Sequence, residues 1–472
     1  MKRAIIPAAI YALAVVLRLV PTVFYPSLNH PDEIFQTLEP AHRLIFGYGL
    51  VPWEFVFGAR SWLLPGALAG LMRIGSTIGA APENYLTLIH VALALLAAST
   101  SVCAFLWGRR AFGVWGGILA ASLPTFWPDA VYFGARTLSE AVAAPLLVMA
   151  LYLVDRQTIG ARRELGAGLL LGLAASLRLQ LAPAIAAIVI WQFFAQKRSA
   201  WLKLVGGAAI AVAAAGLLDA ATWDYPFQSL WRNFIYNTFY GVSSFYGTED
   251  WSFYPLALLE YWRGFAVLLL ALGAIGARRL PLPLLAASLI FAAHMAVPHK
   301  ELRFLYPTIL LLLIVAGMGL AQLGVWAAAR WRIEPARCSA VLLAVALLAA
   351  ASLAATPAYR ELWQRGHNMI RADIAAGKLN GVCGIGAYKS HGSYTLFHRD
   401  VPFYWMQDDA DYARDLPGFN TLVAGEKTPP APGFQTVRCF GDVCLSQRQG
   451  PCADLPPTEM PRPAPLEGAE PR

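Results

Sequence analysis

The sequence predicts an all-α polytopic membrane protein of about eleven transmembrane helices, with a small extracytoplasmic domain, mixed α/β or β-rich, at its C-terminal end. Three observations predict it. The 472-residue chain is 57% hydrophobic and only 14% charged, whereas water-soluble domains are roughly one-quarter charged. Apolar runs near the ~20 residues needed to cross a bilayer recur along it. Beyond residue 357 these runs stop, and Gly, Pro and four of the six cysteines take their place.

The runs are 4–23, 84–107, 111–128, 137–154, 204–220, 263–277, 280–297, 304–329 and 338–356. The stretch 164–196 would be about 50 Å long as one helix, so Pro183, after Arg178 and Gln180, is expected to divide it into two short spans. The segment 62–80 carries Pro65 and Arg73 and is expected to lie at the interface without crossing. Lys2 and Arg3 precede the first run as in a signal peptide. No small-x-small cleavage site follows and Arg18 interrupts the run, so an uncleaved anchor is expected.

The net charge of +8 is compatible with nucleic acid, anionic lipid or positive-inside loops. The basic clusters Lys2/Arg3, Arg109/Arg110, Arg156/Arg162/Arg163, Lys197/Arg198/Lys203, Arg278/Arg279 and Arg330/Arg332/Arg337 all fall on one side if 62–80 does not cross and 164–196 crosses twice. Spread over many cytoplasmic loops rather than gathered in a patch, they give nucleic-acid binding no support. Residues 24–83, 129–136, 221–262, 298–303 and 357–472 are then outside.

Orientation does not explain the polar clusters on that outer side. The first outer loop carries Asn29, His30, Pro31, Asp32, Glu33, Gln36, Glu39, His42, Trp53, Glu54, Arg60 and Ser61. Arg136, Thr137 and Glu140 follow in a short turn, and Arg178 and Gln180 break the long apolar stretch. The loop 221–262 is dense in aromatics, among them Tyr246 and Trp251, with Asp and Glu interleaved. Pro298-His299-Lys300-Glu301-Leu302-Arg303-Phe304 joins two spans. Loop carboxylates are commonly just solvated, and aromatics near a bilayer are commonly interfacial anchors. Snorkelling cations favour the cytoplasmic side, which does not suit His299, Lys300 and Arg303. An arginine inside an apolar run costs at least ~2.5–3.5 kcal/mol at mid-membrane and normally lines a polar cavity.

Together the clusters describe one chemistry. Carboxylates can deprotonate and orient a hydroxyl, and cations at the membrane boundary can hold a phosphate and stabilise the charge it gains on leaving. Aromatic faces with interleaved carboxylates suit sugar rings. The constellation fits glycosyl transfer from a lipid-phosphate sugar.

The same residues carry a family resemblance. His30-Pro31-Asp32-Glu33 with Gln36, Glu39, His42, Trp53-Glu54 and Arg60-Ser61 resembles the first-loop signature of GT-C mannosyltransferases, and more narrowly glycosyltransferase family 22, which includes the GPI-anchor and dolichol-oligosaccharide mannosyltransferases. Arg136-Thr137-Leu138, then Tyr246-Gly247 with Trp251 and Tyr254, then His299 to Phe304 agree in the same order, over roughly residues 1–330. With its Ala-rich composition, the chain is expected to be a bacterial relative.

The resemblance implies an inverting α-mannosyltransferase that uses polyprenyl- or dolichyl-phosphate-mannose as co-substrate, with no other cofactor and no metal, and a glycan or glycolipid hydroxyl as acceptor. It implies a multi-pass enzyme of a bacterial inner membrane with a periplasmic site, or of the endoplasmic reticulum with a lumenal site. Residues 1–356 would be the catalytic membrane domain. Asp32 is expected to be the general base, with Glu33 the alternative. His299, Lys300 and Arg303 are expected to bind the donor phosphate, with Arg178 and Arg136 next. His30, Gln36, Glu39, Trp53, Glu54, Arg60, Tyr246 and Trp251 are expected to contact sugar or acceptor. The alternative function is a transporter or flippase of a lipid-linked saccharide, which would share the spans and the intramembrane arginine; it would usually show internal repeats, and none is found.

Cys103 and Cys338 read as apolar fillers. Cys383, Cys439, Cys444 and Cys452 permit two disulfides in any of three pairings if the segment 357–455 is extracytoplasmic, and four free thiols if it is not. A disordered Pro-rich tail is expected over 456–472.

Overall fold

The computed structural model describes residues 2–79, 81–155, 161–428 and 432–468, so Arg156 and the last residues of the Pro-rich tail lie outside the described residues. Every predicted apolar run is helical. Among the described residues, five helices are long and apolar enough to cross a membrane by themselves: Ile5–Phe24, Pro82–Phe126, Arg198–Thr222, Leu302–Trp331 and Pro335–Ala354. Leu63–Ile78, Ser139–Val154, Leu179–Ala195 and Pro281–Met295 are shorter apolar helices, and Phe253–Trp262 meets Phe265–Gly276 at 104°.

The predicted runs 84–107 and 111–128 form Pro82–Phe126, whose backbone turns at Gly113 with φ 74°. That left-handed conformation is open to glycine and strained for other residues. It folds the two halves together at Gly108, where an added Cβ would lie 2.6 Å from the Gly116 carbonyl. The long stretch divides where the sequence predicts. Ala161–Leu177 ends at Arg178, which is extended (φ −146°), and Pro183 enters the first turn of Ala182–Ala195. There its missing N–H leaves no hydrogen bond unmade. The helix Tyr306–Trp331 is buried along most of its length, at the centre of the bundle.

The C-terminal part is mixed α/β. Helices Pro357–Gln364 and His367–Gly377 lead into a five-stranded sheet of β1 (Ile385–Tyr388), β2 (Phe403–Met406), β3 (Thr421–Gly425), β4 (Gln435–Phe440) and β5 (Val443–Gln447). The order is β2-β1-β3-β5-β4, parallel across β2-β1-β3 and antiparallel beyond. Disulfides join Cys383 to Cys452 and Cys439 to Cys444.

Two expectations need correction here. The described part of the tail, 457–468, is packed on the protein: Thr458 bonds Phe403 and Trp405, and Leu466 is buried beside Trp53 and Phe57. Its prolines lack N–H groups, and apolar residues between them supply the burial. The aromatic stretch 221–262 is also not an open loop, since it contains the helices Gln228–Thr238 and Phe253–Trp262.

Candidate active site

The residue pair at 32–33 opens the site. After Pro31 the chain enters a helical turn that widens to a π-helix over Ile34–Leu38, a form found mostly as single turns at functional sites. Asp32 and Gln36, four residues apart, both line one cavity with Arg60, Arg178, Gln180 and Asn233. Glu33 points elsewhere. Its side chain is 5% exposed, against 30% for Asp32, and faces Arg136 at 3.8 Å. Burial pushes the Glu33 carboxyl up from its ordinary value, with Arg136 opposing. Of the two carboxylates, Asp32 is the one open to the cavity.

Arg303 organises the acidic side of the cavity. Its Nε and Nη2 donate to the two oxygens of Glu301 at 2.7 Å, a bidentate pair. Nη2 also reaches Asp32 Oδ2 at 2.5 Å, and Nη1 lies 3.6 Å from Glu140. Burial opposes the charged form of Glu301, but hydrogen bonds from His299 and Arg303 outweigh it and hold the carboxyl well below the usual range. Burial and the Arg303 charge push His30 down to about 4, so the ring stacked on Phe133 is neutral at physiological pH.

The guanidiniums facing the cavity are Arg178 and Arg60. Arg178 pairs with Glu140 at 3.7 Å and lies over the Phe304 ring, while Arg60 bonds Glu54 at 3.4 Å. In each, Nε is buried with no hydrogen-bond partner among the described residues. Gln36 donates to Glu54 at 3.0 Å. Trp53 and Tyr246 stand together near Glu54.

Several residues expected to contact ligands are engaged within the protein. Lys300 donates to the carbonyls of Val297 and Glu249 at 2.7 and 2.9 Å, so its ammonium ties its own turn to the segment around Glu249 instead of facing a phosphate. Both His299 nitrogens are engaged, by Gly247 O and Glu301. Arg136 is buried, bonds the carbonyl and hydroxyl of Ser27, and stacks on Tyr132. Glu39 is fully buried, with both oxygens bonded by Leu50, Tyr394 and Thr395. Trp251 is 74% exposed and does not line the cavity.

The structure adds Glu140, Glu301, Gln180 and Asn233 to the site. The first three stand in the sequence blocks already noted, and Asn233 carries no motif signal.

The comparisons with known proteins extend over the same residues. The model of the Alg9-like mannosyltransferase family matches residues 9–371. The chain belongs to the Alg9-like mannosyltransferase family. Among other members, GPI mannosyltransferase 3 of Drosophila melanogaster is 27% identical over 65% of this chain and 55% of its own. The Yarrowia lipolytica protein of the same name is 28% identical over 62% and 58%, and GPI alpha-1,2-mannosyltransferase 3 of Danio rerio 26% over 66% and 59%. The chain thus spans little more than half the length of these relatives. Among solved structures, ArnT from Cupriavidus metallidurans bound to undecaprenyl phosphate superposes with TM-score 0.58 at 13% identity, covering 93% of this chain and 97% of that one. The Archaeoglobus fulgidus oligosaccharyltransferase gives 0.52 at 15%, covering 89% and 67%. The fold of this Alg9-like chain is that of the GT-C integral membrane glycosyltransferases, with a small C-terminal sheet domain.

Proposed function

We propose that the chain is an inverting mannosyltransferase, moving mannose from a polyprenyl- or dolichyl-phosphate-mannose to a hydroxyl of a glycan or glycolipid on the outer face of the membrane. The observation that carries this is that Asp32, Arg178 and Arg60 line one cavity. Asp32 accepts the proton of the acceptor hydroxyl as its oxygen bonds the anomeric carbon. The bond from that carbon to the phosphate oxygen breaks, and the electron pair leaves with the lipid phosphate. Arg178 and Arg60 meet the charge gained by the leaving group. Arg303 does not bind phosphate in this reading: it holds Asp32 in place. Family membership supports mannose, and a protein of the same fold bound to undecaprenyl phosphate supports a lipid-phosphate donor.

The test is transfer from labelled polyprenyl-phosphate-mannose in membranes holding the chain. Asp32→Asn is expected to stay folded and to lose transfer; full activity in that variant would remove Asp32 from the mechanism. Mannosylated product together with free lipid phosphate marks a transferase, whereas donor moved across the membrane without being consumed marks a transporter.

A further inference from the structure

We infer that the C-terminal domain is a clamp on the catalytic segment, and that Glu39 and Thr395 are positioning residues for Asp32. This rests on the reading of Asp32 as the base. The segment 31–39 has two working faces. Asp32 and Gln36 look into the cavity. Ile34 and Phe35 are buried among Met369, Ile370, Ile385 and Phe403 of the C-terminal domain, and Phe35 stacks on Trp405 at 5.7 Å.

One turn on, Glu39 closes the clamp. Its Oε1 accepts from the backbone N–H groups of Leu50 and Tyr394, and its Oε2 from the N–H and hydroxyl of Thr395 at 3.0 and 2.8 Å. The carboxylate thereby ties residues 394–395 to the end of the catalytic turn. Tyr85 adds a 2.5 Å bond to the Thr395 carbonyl, and His42 bonds His398 at 2.9 Å. On the other side of Asp32, Leu28 N–H donates to Arg365 O at 2.8 Å. The C-terminal domain therefore holds the catalytic segment on both sides of Asp32.

The test compares wild type, Thr395→Val, Thr395→Ser, Glu39→Gln and Asp32→Asn in full-length protein, by steady-state transfer and by hydrogen exchange over residues 31–38. Thr395→Val and Glu39→Gln are expected to lower kcat by roughly tenfold or more, since ångström-scale misplacement of a reacting group costs up to ~100-fold. Donor KM stays within about twofold. Exchange rises in 31–38 while the membrane helices are unchanged, and Thr395→Ser, which keeps the hydroxyl, restores the rate. Unchanged kcat, a risen KM with intact kcat, or exchange unchanged in 31–38 would overturn the clamp. If Glu39→Gln does not fold, Thr395→Val decides. Wild-type transfer by Asp32→Asn would instead defeat the functional reading, and exchange alone would then judge the clamp.

Discussion

Arg303 Nη2 stands 2.5 Å from Asp32 Oδ2 although 271 residues separate them in sequence. The guanidinium is already forked onto Glu301 and faces Glu140, so it is ringed by carboxylates instead of standing open to an anion. Removing one partner of a buried ion pair leaves an uncompensated charge and costs about 3–5 kcal/mol. Arg303→Ala is expected to lower both the melting temperature and kcat, with donor KM little changed. Arg303→Lys keeps the charge but not the fork, and falls between. Steady-state kinetics against donor concentration check this, and a raised KM with unchanged kcat would return Arg303 to the phosphate.

Donor binding is expected to depend on the cations that face the cavity. A hydrogen bond involving a charged group contributes about 1.5–3 kcal/mol. Arg178→Gln and Arg60→Gln should therefore each weaken donor binding by roughly tenfold to a hundredfold. Lys300→Gln should leave donor KM alone and instead loosen the 297–300 turn that its ammonium holds. Equal effects of Arg178→Gln and Lys300→Gln on donor KM would contradict the assignment.

His299 gives the outer turn a pH dependence of defined sign. Its hydrogen bond to Glu301 raises it above its ordinary 6.5, against the opposing effect of burial. A raised folded value means that the stabilisation is complete below 6.5 and is lost as pH rises through the folded value. Melting curves at pH 5.5–8.5 should show wild type losing stability relative to His299→Gln toward the alkaline end. Parallel curves would refute it.

Asp373 carries a similar sign for another reason. It is fully buried in the C-terminal domain, and neither carboxyl oxygen has a hydrogen-bond partner among the described residues. Burial alone pushes it well above its ordinary 3.8. Folding retains a proton that the unfolded chain releases, so stability is complete below 3.8 and falls as pH rises through the folded value. Asp373→Asn removes the titration at nearly constant volume and should flatten the pH dependence of melting. A flat wild-type profile would show that a partner reaches the carboxyl.

The two disulfides should differ in effect. Cys383–Cys452 closes 69 residues and Cys439–Cys444 only 5. By loop-closure entropy, removing them costs about 4 and 2 kcal/mol respectively. Paired Cys→Ser variants, followed by melting of the C-terminal domain, check the order. Reduction of these disulfides by a membrane-impermeant reductant in closed vesicles, followed by impermeant thiol labelling, reports which side of the membrane the domain occupies.

The helices were legible because a bilayer imposes length and apolarity on each one, as in the split of 164–196 beside Arg178. The choice between Asp32 and Glu33 was not, since it depends on how the turn after Pro31 is wound. Glu39 read as a ligand contact because its partner Thr395 lies 356 residues away, beyond any local pattern. Lys300 and Arg136 misled for a related reason: a cation near a site is equally suited to backbone carbonyls, and only the folded chain shows which it meets. Glu140 and Glu301 stood in view, but an expectation of phosphate drew attention to the cations beside them.

The wide turn at Ile34–Leu38 has a consequence for how this chain can change. Because one face of the segment serves chemistry and the other grips a separate domain, both are phased by the number of residues between Pro31 and Glu39. Inserting or deleting a single residue there would rotate one face out of place whichever end stayed fixed. Substitutions at Ile34 or Leu38 alter size without altering phase. The loop is therefore more forgiving of spelling than of length.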